Sequence, residues 1–124
     1  MNKQTAKRWC HKYIRLKAAD ENGWVRCVTC HAPKQWNDCD TGHFIHGLDF
    51  VEKNLHPQCV HCNHYNSGKM GEYYKFMLDT YGQQEIDLLK VLKKQTNKKL
   101  SHQVTMIGNY YKDKCKILRE EKGL

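Results

Sequence analysis

Apolar positions near the start of the chain recur at helical spacing. Ala6, Trp9, Cys10, Tyr13 and Ile14 share one side, and Lys7, Arg8, Lys12 and Arg15 fall largely on others until Gly23 stops the pattern. This predicts an amphipathic first helix whose aromatic stripe packs into a core and whose basic face can meet phosphates. The pattern then changes. Short candidate strands at 24–28 and 43–46 are separated by a turn-rich stretch over 31–41, and the expected structure is an irregular β-hairpin. Helical spacing returns with Tyr73, Phe76, Met77 and Tyr81, which mark a helix ending near Gly82. Ile86, Leu89 and Leu92 mark another that runs out in the polar stretch 93–99. Val104, Ile107, Tyr111 and Leu118 predict a final helix from near Ser101, with an apolar seam able to pack internally or against a second subunit.

These elements make an α+β, mostly helical chain. Its 124 residues fit one domain, read as a basic helix over 1–22, a core over 23–82 and C-terminal helices over 83–124. No apolar run approaches the roughly 20 residues that span a bilayer, and no signal-like segment follows Met1, so a soluble, cytoplasmic protein without membrane contact is expected. Charge narrows the partner. Lys and Arg number 21 against 13 Asp and Glu, a formal charge of +8, which favours an acidic polymer, nucleic acid first, although charge alone fits a solubilising role equally well. The basic residues outnumber the acidic ones 7 to 2 over 1–26 and 11 to 7 over 71–124, but not between, so the excess lies in the flanks.

Seven cysteines in a chain with no export signal point away from disulfides, and four of them form Cys27-x-x-Cys30 and Cys59-x-x-Cys62, with 28 residues between the pairs. Each pair sets two thiolates on one turn. Together they can close a tetrahedron around Zn²⁺, and four thiolates leave no open position for water, so such a zinc folds the site and does no chemistry. Cys10 and Cys115 fall in helical patterns and read as packing residues, and Cys39 reads as a loop residue without a metal role.

Between and just after the cysteine pairs stand Asp40, His43, Asn54 and Asn63. Phosphodiester hydrolysis needs a base for water, a divalent cation for developing charge, and groups that hold both. His43 titrates near neutrality and suits the base, while Asp40 and Asn63 offer the oxygen ligands that Mg²⁺ or Mn²⁺ prefers, and Asn54 is placed to orient the imidazole. Singly these residues read equally as turn caps, backbone partners or ordinary histidines. Jointly, bracketed by one zinc clamp, they read as a catalytic site. Residues three apart on a regular strand face opposite sides, so Asp40 joins His43 only through a bend that Gly42 would ease, with Asp38 as the fallback ligand. His46, His56, His61 and His64 are neighbours without an assigned role.

The string Cys27-x-x-Cys30, Asp40-Thr41-Gly42-His43-Phe44, Glu52-Lys53-Asn54-Leu55-His56, Gln58-Cys59-x-x-Cys62-Asn63, Ser67-Gly68 and Tyr81-Gly82 resembles the NinG (Rap) recombination proteins of lambdoid phages. The hairpin, clamp and helix also look like the ββα-metal, or HNH, nuclease fold, and the cysteines with Asp, His and Asn resemble the endonuclease VII junction resolvases. The resemblance covers about residues 10 to 120. It implies a zinc-clamped ββα-metal core flanked by helices, and a structure-selective endonuclease for branched DNA such as Holliday junctions. By that likeness Asp40 and Asn63 are the ligands of a catalytic Mg²⁺ or Mn²⁺, His43 is the base, and the location is a bacterial host's cytoplasm. Family members carry a longer basic, cysteine-containing N-terminal extension not present in this sequence. Lys7, Arg8, Lys12, Lys112 and Arg119 are the expected contacts to duplex arms, and a junction's two strands favour a homodimer. A noncatalytic zinc module that binds nucleic acid and recruits recombination partners is the alternative.

Overall fold

A computed structural model describes residues 1–95 and 98–124. Thr96 and Asn97, within the polar stretch where the third helix was expected to run out, lie outside the described residues. The chain order is helix α1 (Lys3–Ala18), strands β1 (Trp24–Arg26), β2 (Pro33–Gln35) and β3 (Asp40–His43), a 3-10 turn (Glu52–Asn54), strand β4 (Leu55–Gln58), a π-helical turn (His61–Tyr65), and helices α2 (Met70–Tyr81), α3 (Gln83–Lys94) and α4 (Ser101–Lys122). Among the described residues no helix is long and apolar enough to cross a membrane.

Helix α1 begins where Asn2 Oδ1 accepts a hydrogen bond from Thr5 N at 2.8 Å, a side-chain cap on a first-turn donor. Its expected stripe is buried: Ala6, Cys10 and Ile14 are inside, and Trp9 and Tyr13 are partly covered. Helix α4 runs parallel to it. Thr105 meets Met1, the Cys115 thiol donates to Trp9 O, and Lys122 Nζ donates to the Leu16, Lys17 and Ala19 carbonyls. That ammonium caps the last turn of α1, where the helix dipole favours a cation. The α4 seam is thereby accounted for within the chain. Val104 and Tyr111 are buried, and Ile107, Tyr111 and Leu118 pack with α1 residues, so this spacing lends no support to a dimer.

The strands differ from the expected hairpin. β1 pairs with β2, which lies inside the stretch expected to be turns, and β3 pairs with β4 in a separate antiparallel ladder: Asp40 with Gln58, Thr41 with Pro57, Gly42 with His56, His43 with Leu55. The ladder is continuous, with no bulge, and Gly42 has an ordinary negative φ. Apolar alternation does not reveal β3 and β4 because Thr41, Gly42 and Gln58 are buried there beside Leu55 and Pro57; the two polar side chains are hydrogen-bonded, with Gln58 Oε1 left without a partner among the described residues. Thr41 Oγ1 donates to His11 O at 2.8 Å, and Gln58 Nε2 donates to Gly68 O at 2.8 Å and to Thr29 Oγ1 at 3.1 Å. One face of this ladder, with Thr41, His43 and Leu55, looks at α1. The other looks at α2, where Tyr73 donates to Gly42 O at 2.9 Å and His56 sits between the Tyr73 and Tyr81 hydroxyls at 2.9 and 2.8 Å.

Gly42 has no room for a side chain, because a Cβ there would lie 2.2 Å from the buried Gln58 Oε1. Gly42→Ala is therefore expected to destabilise the fold by about 1–3 kcal/mol, read as a lower urea midpoint with unchanged slope; an unchanged midpoint would contradict this packing.

Candidate metal centre and catalytic site

Cys27, Cys30, Cys59 and Cys62 bring their sulfurs within 4.8 Å of one another, the one such group of His, Cys, Asp or Glu atoms among the described residues. Two chain turns present them: Cys27 to Cys30 follows β1, and Cys59 to Cys62 follows β4. Val28 N donates to Pro57 O at 2.9 Å and ties the two turns together. Tetrahedral zinc with bonds of about 2.3 Å places its sulfurs about 3.8 Å apart, and Cys30 Sγ lies 3.8 Å from Cys59 Sγ. Backbone amides also point at sulfur, Cys59 N to Cys27 Sγ at 3.3 Å and Cys62 N to Cys59 Sγ at 3.4 Å. Burial pushes the Cys27 thiol up, but donors from Cys30, Cys59 and Thr29 outweigh it and bring it down to about 6. Donors aimed at sulfur favour thiolate, the form that binds metal. The four cysteines can hold a zinc ion. Cys10 and Cys115 are buried packing residues away from it, as read from the sequence, and Cys39, expected as a loop residue without a metal role, is also buried and packs with Trp36 and Cys115.

Beyond the clamp, Asn63 lies in the π-helical turn and its Nδ2 donates to Asp40 Oδ2 at 3.1 Å, while His64 Nε2 approaches the same oxygen at 3.0 Å. Asp40, Asn63 and His64 thus meet at the start of β3. His43, at the strand's other end, does not join them. With no bend at Gly42, its ring lies on the α1 side, where Nε2 is 3.1 Å from Asp49 Oδ1 and His11 packs edge-on with ring centroids 5.0 Å apart. Asp38 is exposed in the turn after β2, apart from these contacts.

The Asp49 carboxylate is raised by burial but lowered more by Lys7, His43 and Lys3, so it is held ionised. Its oxygens lie 3.5 Å from Lys7 Nζ and 3.6 Å from Lys3 Nζ. An ionised carboxylate only accepts, so His43 Nε2 carries the proton and Nδ1 keeps the free lone pair. Burial lowers the His43 pKa below its ordinary 6.5, and Asp49 partly opposes this. His11 is pushed further, to about 4, by burial and the neighbouring His43, and its Nε2 donates to Asp49 O at 3.3 Å.

Asn54 acts at one remove. It is wholly buried, accepts from Ile45 N at 2.7 Å and donates to Ile45 O at 2.8 Å and Leu48 O at 3.2 Å, so it makes no bond to the imidazole. It pins the loop that carries Asp49, and Asp49 is the residue that orients His43. The sequence reading missed Asp49 and His11. For His11 a signal existed: Lys3, Lys7, His11 and Arg15 recur every four residues and form one stripe of α1. For Asp49 none did, since only loop closure brings it back to His43. Of the other histidines, His56 is a packing residue that burial pushes to about 4, while His46 and His61 are exposed.

A family profile described as "Bacteriophage Lambda NinG protein" matches residues 2–121. The chain belongs to the NinG family. Among curated NinG proteins it is similar to "Protein ninG" of Salmonella phage P22, 28% identical over 104 residues, covering 78% of this chain and 49% of the relative. It also resembles those of Escherichia phage 933W and Escherichia phage lambda, each 34% identical over 68 residues, 49% of this chain and 32% of the relative. The chain thus spans a third to a half of the length of these NinG relatives. No solved structure matches it.

Cys59→Ala, or a strong chelator, is expected to abolish one bound zinc per chain and lower the melting temperature by more than about 10 °C, since structural zinc contributes folding free energy directly. Metal analysis with thermal melts checks this, and full stability without metal would show that the sulfurs merely pack.

Proposed function

We propose that this NinG protein is a divalent-metal-dependent DNA endonuclease acting on branched DNA, and that β3, β4 and the helical segment after Cys62 form a ββα-metal core of the HNH type. The observation that carries the reading is the meeting of Asp40 with Asn63 at one end of β3 while His43, oriented by Asp49, stands at the other. In-line displacement needs a base on one side of the scissile phosphate and charge stabilisation on the other, and a four-residue strand separates two groups by about 10 Å at Cα. Asp40 and His43 leave opposite faces of the unbent ladder, so they take separate tasks rather than share one ligand set, and the phosphate must reach both past the end of the strand.

Asp40 and the carboxamide oxygen of Asn63 are hard donors, suited to Mg²⁺ or Mn²⁺, which commonly take one or two protein oxygens and complete the shell with water and phosphate. An ion held there would supply charge neutralisation for the phosphate and its departing 3′ oxygen. His43 Nδ1 takes the proton from the attacking water. Asp49 steadies the imidazolium that forms, Asn54 holds the loop bearing Asp49, and His11 covers the ring from the α1 side. The products carry 5′-phosphate ends.

DNA is held by the basic faces of α1 and α4. Arg8 is exposed, and Lys12, Lys112 and Arg119 gather around two indoles. Lys12 Nζ lies 5.4 Å from Trp9 and 5.7 Å from Trp36, Lys112 Nζ 5.8 Å from Trp9, and Arg119 Cζ 5.8 Å from Trp36. Lys7 is committed to Asp49 and tunes the site instead. A homodimer on the substrate follows from the need to cut two strands, in the cytoplasm of a bacterial host during phage recombination.

Zinc-loaded wild type and His43→Ala are to be incubated with end-labelled four-way junction and matched linear duplex, with Mg²⁺, with Mn²⁺ and with chelator. Metal-dependent cutting by wild type, reduced about 10²–10⁴-fold in the variant, is expected. Junction binding without cutting by either folded protein would replace this reading with the noncatalytic binding module. Because the neutral imidazole is the base, the cleavage rate should rise with pH and level off above the His43 pKa, below 6.5. Asp49→Asn removes a charge that favours the imidazolium, so the midpoint should move lower still and the plateau should fall; an unmoved midpoint would remove Asp49 from the mechanism.

A further inference from the structure

The π-helical turn His61–Tyr65 carries Asn63 and His64 toward Asp40, and its last residue, Tyr65, does something different. Tyr65 is 76% exposed, more than any other large apolar side chain among the described residues. Its ring lies 6.1 Å from that of His61, itself exposed, with the planes tilted by 34°. An aromatic ring kept for packing is ordinarily covered, so this one contributes little to the core.

The backbone beneath it is nevertheless firmly held. Asn63 N donates to Cys59 O, Asn66 N to His61 O, Gly68 N to Cys62 O and Lys69 N to Asn66 O, at 2.9–3.1 Å. From below, the buried Gln58 amide donates to Gly68 O. Ser67, Gly68 and Lys69 stand in succession at φ 51°, 80° and 50°, a left-handed run that two non-glycine residues adopt only when the surroundings enforce it. π-Helical turns of this kind recur at functional sites. A rigid mount, an exposed ring and a position one residue beyond His64 occur together. The segment 59–71 contains no acidic residue and carries Lys69, so nothing in it repels a polyanion.

We infer that Tyr65 is a stacking platform for the exposed face of a nucleobase at a branch point of the DNA substrate, and thereby sets a preference for branched over linear DNA. The inference rests on the endonuclease reading for where the DNA lies. Aromatic stacking tolerates any base because every base has a π-face, but a base inside linear duplex is already stacked on both sides. At a branch point one face is free. Tyr65 therefore adds affinity at branches and none along uninterrupted duplex, while the lysines and arginines of α1 and α4 act on both.

The test measures binding with catalytic divalent metal omitted and zinc retained, so that it does not depend on cutting. The full chain is compared with Tyr65→Ala and Tyr65→Phe on a four-way junction carrying 2-aminopurine at the branch and on matched linear duplex. Zinc content and circular dichroism confirm that each variant folds. Wild type and Tyr65→Phe should quench the 2-aminopurine and bind the junction alike. Tyr65→Ala should lose the quenching and about tenfold or more of junction affinity, with duplex affinity unchanged. Wild-type affinity and quenching in Tyr65→Ala, or equal weakening on junction and duplex, would overturn the inference. Failure of the endonuclease reading has a separate signature, absence of cutting by wild type with Mg²⁺ or Mn²⁺, and leaves the stacking result to be judged by the binding data.

Discussion

Four sulfurs from two chain turns converge beside the β3–β4 ladder, and the positions of the chemical groups depend on that convergence. Apart from the cysteines, the turn after β1 and the end of β4 are joined by the Val28–Pro57 and Gln58–Thr29 hydrogen bonds. Because Asn63 follows Cys62 directly and Asp40 opposes Gln58 just before Cys59, fixing the second cysteine turn fixes both. A small core split into several clusters cannot supply such precision by apolar packing alone, and a metal ion held by the four cysteines would compensate for that shortage.

The second constraint is the satisfaction of buried polar groups. Asn54 and Gln58 are both wholly buried, and each spends its amide on backbone: Asn54 closes the loop between β3 and β4, and Gln58 anchors the loop after Cys62. Losing either would strand carbonyls and amides inside the protein, at a cost of about 1–3 kcal/mol per group. These two residues extend the frame set by the four-cysteine cluster into fixed loops. The loops in turn place Asp49 against His43 and hold Tyr65 outward.

Helix α1 supplies the remaining wall. Its apolar side binds α4, and its Lys7, His11 and Arg15 stripe lies along β3. Arg15 donates to Trp36 O at 2.9 Å and to Thr41 Oγ1 at 3.0 Å, which locks the helix to the strand bearing His43. His11 packs edge-on against the imidazole on that side, and Lys3 and Lys7 balance the Asp49 charge. The environment of His43 is thus built from β3, the loop that follows it and the distant helix α1, so a change in α1 packing is felt at the imidazole.

Much of this was legible in the chain itself. The helices followed from apolar spacing because one face of each is buried on a neighbour. The four-cysteine cluster followed from the Cys-x-x-Cys spacing, because two sulfurs on one tight turn are a local property. The presence of Asp40, His43, Asn54 and Asn63 within the clamp was also plain. Strand pairing was not, since the buried Thr41, Gly42 and Gln58 interrupt the apolar alternation that Leu55 and Pro57 alone would need to carry. Nor did spacing reveal that Asp40 and His43 face opposite sides of an unbent strand, that Asn54 serves a loop, or that Asp49 serves the imidazole. Those are consequences of loop closure and buried hydrogen bonds, which join residues that share no helical or strand periodicity. Local periodicity reports burial, while the orientation of a polar side chain is decided by the partner that the tertiary structure brings to it.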